Sequence, residues 1–291
     1  MYRTAVLMSL IAAPAFACPQ YDTVVAAVQA GDKAEAEVLY EEIVFSPACD
    51  GAIREWVGDY LARENFLAAI DAADTGEKRA LLERALKFEI HWRSLAELGR
   101  LEWSLGNYTQ AAGYLQRALN ELAEGDQAHK AGTNEISEVY ELATAALALA
   151  DAPVKLPTTL SGRTGGIFTT SIRGFEVEEV NLPITFRHDS TEFDEIGATY
   201  AQTLAEHITQ AAPPVVELGG HTDPTGPDGY NLELSRQRAA RVEAFLRQNG
   251  YQGEIRVSGY GESRIPPAPP GIEPGSEEHY RIARRVAFST E

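Results

Sequence analysis

The sequence predicts an α+β chain in two parts: an all-helical first part, then a two-layer α/β part of order β-α-β-α-β-β. Three observations point there. Residues 21–149 repeat apolar side chains every three or four positions, with abundant alanine and glycines between the segments. Proline, threonine, serine and glycine then gather at 151–162 and break that pattern. Beyond them, short β-prone apolar runs alternate with two amphipathic helical stretches. The expected division is a signal peptide at 1–17, a helical domain at 18–151, a linker and lead-in strand at 152–175, and the α/β domain at 176–291.

At 291 residues and 44% apolar composition the chain can build two ordinary cores. Its formal net charge of −18 opposes long-range attraction to nucleic acid or anionic lipid, so no nucleic-acid partner is expected and recognition of an acidic surface must rest on local groups. Arg3, the apolar run 5–13 and Ala15-Phe16-Ala17 read as an export signal with its cleavage site. No other run is long enough to span a bilayer, so the mature chain is expected without a transmembrane segment. Cleavage would leave Cys18 first, either lipid-modified or paired with Cys49, the only other cysteine. Phe16 and Pro14 fit a lipid-modification motif poorly, and pairing leaves no orphan thiol in an oxidising compartment, which favours the disulfide.

In the helical part, residues 94–121 carry the clearest pattern, with Leu95, Leu98, Gly99, Gly106, Tyr108, Ala111, Leu115 and Ala118. Less regular units begin at Gly31-Asp32 and at Thr75-Gly76-Glu77, and a last helix is expected at 135–149. The pattern resembles tetratricopeptide repeats, in which small residues let paired helices approach and stacked pairs bury a common core. That resemblance implies a surface for a protein partner, set against the plainer reading of a helical spacer. Trp56, Trp92 and Trp103 fall at helical spacing and read as core. His91 and His129 have no second ligand at metal spacing.

The α/β part opens with the alternating run 166–172, and 175–180 extends a strand or hairpin. The strand at 180–186 contains Pro183, which suits an edge. A helix at 195–211 buries Ile196, Leu204 and Ile208 and stops at Pro213-Pro214. A strand at 215–219, a second helix from about 228 that stops at Asn249-Gly250, a strand at 255–257 and a last strand at 285–289 complete the order.

The stretch 219–242 holds the candidate site. At about 100° per residue, Asn231 and Arg238 point within about 20° of each other, while Ser235, Ala239, Val242 and Leu246 form the adjoining packing stripe. Arg238 can therefore face the loop carrying Asp223. A carboxylate and a guanidinium there suit a zwitterionic ligand. The plain alternative has Asp223 capping the turn and pairing with Arg238.

Gly220-His221-Thr222-Asp223, Gly226, Tyr230-Asn231, Leu234-Ser235, Arg238-Ala239, Gly259-Tyr260-Gly261 and Arg284-Arg285-Val286 together resemble the OmpA-like peptidoglycan-binding domain of OmpA, MotB and Pal proteins. The resemblance covers about the last 110 residues. It implies a non-catalytic domain that grips the diaminopimelate of the stem peptide with Asp223 and Arg238, helped by Thr222, Asn231, Asp189 and Arg284. It also implies a wall-associated protein of the Gram-negative periplasm, at the outer membrane. Departures are Ala283 in place of asparagine, Arg187 and His188 in place of an acidic and an aromatic residue, and the Pro/Gly-rich run 265–275.

No metal and no cofactor are expected. His221, Asp223 and His188 would make a two-histidine, one-carboxylate set only if the fold brought His188 close, and the common hydrolase motifs are missing. The alternative function is an assembly factor or chaperone acting through the helical part.

Overall fold

The structure, a computed structural model, describes residues 18–125, 131–172, 174–187 and 189–291. The expected signal peptide, His129 and His188 lie outside the described residues. The described chain forms two compact units that divide between Ile90 and His91.

The first unit contains α1 (Tyr21–Ala30), α2 (Lys33–Val44), α3 (Gly51–Asp71) and α4 (Thr75–Phe88). Asp32, Asp50 and Asp74 each accept a backbone N–H three residues on, capping α2, α3 and α4. The helices bury Val24, Ala36, Ile43, Val57 and Leu61 around a common core. Cys18 and Cys49 are joined by a disulfide that ties the start of α1 to the start of α3.

The second unit begins with α5 (Trp92–Ser104), α6 (Tyr108–Glu124) and α7 (Thr133–Leu149). Gly99 explains how closely α5 and α6 pack, since a Cβ there would lie 2.5 Å from the Leu115 side chain. Trp92 and Trp103 are buried in the core, as their spacing suggested. A short 3₁₀ turn at Gly166–Phe168 and a two-residue hairpin, β1 (Ser171–Ile172) with β2 (Phe175–Glu176), follow. The described residues of 152–175, expected as linker and lead-in strand, bond within this unit: Ile167 N–H donates to Gln116, Tyr140 Oη donates to the Ile167 carbonyl, and Val154 N–H donates to Tyr200.

The remaining elements are β3 (Val180–Leu182), α8 (Glu195–Ala211), β4 (Val215–Gly220), α9 (Asp228–Gln248), β5 (Glu254–Gly259), α10 (Glu277–Ala283) and β6 (Val286–Thr290). The sheet order is β3-β6-β4-β5, with β4 and β5 parallel and the other pairings antiparallel. The strand expected at 180–186 ends at Leu182, because Pro183 brings no N–H to the ladder; β3 is an edge strand, where such a residue is tolerated. The helix α10 was not foreseen. Ser276 caps it by accepting the His279 N–H, and Glu277 and Glu278 sit in its first turn.

Candidate functional site

The end of β4, the loop after it and the start of α9 meet at Gly220. A Cβ on Gly220 would lie 2.0 Å from the Ser235 carbonyl oxygen, so only glycine lets α9 lie this close to the strand. Ser235 then reaches across, its hydroxyl accepting the Gly261 N–H at 2.9 Å. Gly226 turns the loop at φ 107°, a conformation other residues rarely adopt.

Asp223 is 9% exposed. Its Oδ1 accepts the Thr225 N–H at 2.8 Å, and its Oδ2 accepts from Arg284 Nη1 at 2.8 Å. Burial alone would raise the carboxyl's pKa, but the bonds from Arg284 and Thr225 outweigh it and hold the group below its ordinary value. Asp223 thus caps the turn, as the plain reading had it, yet its ion pair is with Arg284 and not with Arg238. Arg284 is held from its other side by Glu277 of α10.

Arg238 donates from Nε to the Ser190 carbonyl at 3.2 Å, and its guanidinium lies 5.0 Å from the centre of the Phe186 ring. Burial depresses its pKa most; Asp223 and Asp189 pull the other way by their charge, as does Tyr230, and Arg284 adds to the depression. No carboxylate lies within ion-pair distance of it among the described residues. The two charged groups of the pair predicted from sequence therefore sense each other without being joined.

The other expected residues divide. Thr222 is buried, its N–H donating to the Gly261 carbonyl while its hydroxyl has no partner. Asn231 spends its amide nitrogen inside the protein, on the carbonyls of Asp223 and Thr225 and on Glu262 at 2.6 Å, so it holds the loop's shape. Asp189 is exposed, at φ 50°, and accepts from Tyr230 Oη. It lines a separate depression with Ser190, Tyr230 and Glu233.

Beside these groups lies a recess of about 260 Å³ lined by Arg238, Arg281, Arg284, Arg285, His221 and Asp194, with Ala148 and Ala150 at the end of α7 among its walls. Sequence reasoning passed over Arg281 and Arg285 as site residues and weighed His221 only as a metal ligand. Arg281 sits on the unforeseen α10; the signal that could have found it is Ser276 followed by two glutamates, a helix start five residues before Arg281. Among the described residues no group of three or more His, Cys, Asp or Glu side chains could hold a metal ion, and no helix is long and apolar enough to cross a membrane.

Residues 185–271 match the model of the OmpA family, so the C-terminal part carries an OmpA family domain. Outer membrane porin F of Pseudomonas fluorescens is 35% identical over 117 residues, 40% of this chain and 34% of the porin. The peptidoglycan-associated lipoprotein of Pasteurella multocida is 28% identical over 122 residues, 40% of this chain and 77% of the lipoprotein. Among solved structures, the periplasmic domain of Helicobacter pylori MotB is 25% identical, covers 39% of this chain and 76% of its own, and superposes with a TM-score of 0.32. The chain spans about a third of the length of the porins it matches.

Proposed function

We propose that the protein is an exported, non-catalytic component of the Gram-negative envelope that holds peptidoglycan through the diaminopimelate of the stem peptide, at the outer-membrane side of the periplasm. Asp223 takes the ligand's ammonium and Arg238 its carboxylate. Thr222 offers its spare hydroxyl, Arg284 braces Asp223, Asn231 keeps the loop in shape, and Asp189 borders the site through Tyr230. The helical part, with its tetratricopeptide-like pattern, carries a protein partner.

The observation that carries this reading is a buried, ionised Asp223 near an Arg238 that has no carboxylate of its own. A carboxylate has about four acceptor positions, and the bonds from Arg284 and from the Thr225 side chain and N–H use three, leaving one for an ammonium. Arg284 need not leave, and Glu277 steadies it if it shifts. The name of the Pasteurella relative, a peptidoglycan-associated lipoprotein, points the same way.

Sedimentation with purified sacculi tests the proposal. Asp223→Asn keeps an oxygen for the Thr225 N–H but removes the charge, and Arg238→Ala removes the cation. Each is expected to lower the bound fraction at least tenfold while circular dichroism is unchanged. Co-sedimentation of both variants at the wild-type level would reject the proposal.

A further inference from the structure

A groove of about 860 Å³ lies wholly within the second unit, between α7, the edge strand β3 and the proline run 266–270. Leu142, Phe175, Leu182, Ile282 and those prolines make its walls apolar. Its size falls within the range of about 300–1,000 Å³ usual for small-ligand sites, which join mostly apolar walls to a few placed polar groups. Glu138, Glu141, Pro267 and Pro270 are exposed, so the groove opens to solvent along them.

Charge is spread unevenly along it. Ala148, Pro183 and Arg285 line both this groove and the arginine recess, so Arg285 marks the end where the two meet. Glu138 lies ten positions before Ala148 on α7, about 15 Å along the axis at 1.5 Å per residue. The Arg285 guanidinium donates only to neutral acceptors, Asn181 Oδ1 at 2.7 Å and the Ala283 carbonyl at 3.3 Å. Burial draws its pKa down to about 10; the charge of Glu179 opposes this and that of Arg264 adds to it. Among the described residues no carboxylate stands within ion-pair distance of it. A buried cation without a counter-ion is costly, and its planar fork matches the two oxygens of a carboxylate.

The rest of the groove has little to offer a polar ligand. The hydroxyl of Tyr140 donates to the Ile167 carbonyl, that of Thr144 to the Tyr140 carbonyl and that of Ser137 to Glu141. The Pro266 and Pro270 carbonyls are taken by His279 and Trp103, and prolines bring no N–H. β3 has three residues before Pro183, too short a ladder for an added strand. A peptide lying here would leave its own N–H and C=O groups unpaired, whereas a hydrocarbon chain has none to pair.

We propose that the groove binds a long-chain fatty acid, with its carboxylate at Arg285 and its hydrocarbon chain running along α7 toward Glu138. Glu138 and Glu141 repel the carboxylate from the far end and so set the direction. A net charge of −18 opposes anions in general, which leaves Arg285 as the local group that admits this one. The inference does not rest on the wall reading, and its test uses no sacculi.

The test is titration calorimetry of the full chain with octanoate, decanoate and dodecanoate, each below its micelle concentration, and with dodecyltrimethylammonium as the cation of equal chain. Each methylene buried is expected to tighten binding by up to about fourfold, and dodecanoate is expected to bind at least tenfold more tightly than octanoate. Dodecanoate is also expected to bind at least tenfold more tightly than the trimethylammonium compound, although adventitious association with so acidic a chain would favour the cation. Arg285→Gln is expected to erase the preference for the carboxylate and keep the dependence on chain length. Leu142→Gln, on the half-buried wall of α7, is expected to weaken dodecanoate at least tenfold. Equal binding of the two head groups, tighter binding of the cation or no dependence on chain length in the wild type overturns the assignment. So does a carboxylate preference that persists in folded Arg285→Gln, or binding of an apolar peptide where dodecanoate does not bind. The wild-type comparisons need no variant to fold.

Discussion

Gly220 shows how much of the site depends on one missing methyl. The Ser235 carbonyl occupies the space a Cβ would need, and backbone on both sides leaves no flexible side chain to move aside. Gly220→Ala must push α9 from β4 and carry the Asp223 loop with it, an overpacking cost of roughly 1–3 kcal/mol. The expected result is a lower melting temperature together with weaker sedimentation with sacculi. Gly229→Ala, in the open first turn of α9, is the control: nothing lies within 4 Å, and replacing glycine in a helix is expected to be neutral or stabilising by up to about 1 kcal/mol. Asp223 and Arg238 were legible in sequence because short-range spacing and helical phase place them. The pairing of Asp223 with Arg284 was not, because it bridges 61 positions and depends on where β6 enters the sheet.

Among the elements, α4 ends in a group that opposes the fold at neutral pH. Glu89, at its C-terminal cap, faces Asp59 and Glu55 of α3, and burial first, then these acids, raises its pKa from 4.5 to about 7. A carboxyl whose folded pKa lies above its unfolded one keeps its proton longer in the folded state, so stability falls as pH rises from about 4.5 to about 7 and stays lower above that. Glu89→Gln is expected to raise the melting temperature of the first unit at pH 8 and to flatten its decline across that interval, by thermal denaturation at several pH values. An unchanged pH profile would remove Glu89 as its cause. The principal helices of both parts could be read from periodicity, since each is long and buries one face. Short elements could not: β3 keeps three residues before Pro183, and α10 is seven residues that follow a stretch, 265–275, dominated by prolines and glycines. That stretch is nonetheless fixed, because Trp103 Nε1 donates to the Pro270 carbonyl at 2.8 Å and His279 bonds the Pro266 carbonyl.

Over the whole molecule, composition and packing mark different boundaries. The Pro- and Gly-rich run after α7 reads as a break, yet it is pinned by Glu124, whose carboxylate takes the Leu160 N–H, and just beyond it Gln116 and Tyr140 hold Ile167. The division between units falls at Ile90 and His91, where no run of such residues announces it. A turn-rich segment reports local backbone preference, whereas a boundary reports where side-chain packing stops, and that depends on pairs distant in sequence. Charge has the same character: a net −18 hides a recess lined by four arginines. The disulfide turns the two-unit division into a measurement. Cys18 and Cys49 both belong to the first unit and close a loop with a sequence separation of 31, for which constraint of the unfolded chain contributes roughly 3 to 4 kcal/mol. Replacing both cysteines with serine is therefore expected to lower the unfolding temperature of the first unit alone, with the transition of the second unit and sedimentation with sacculi unchanged, as read by calorimetry and pull-down. A single transition that shifts as one would mean that the units unfold together, and a loss of wall binding would mean that the helices at the N-terminus contribute to the site.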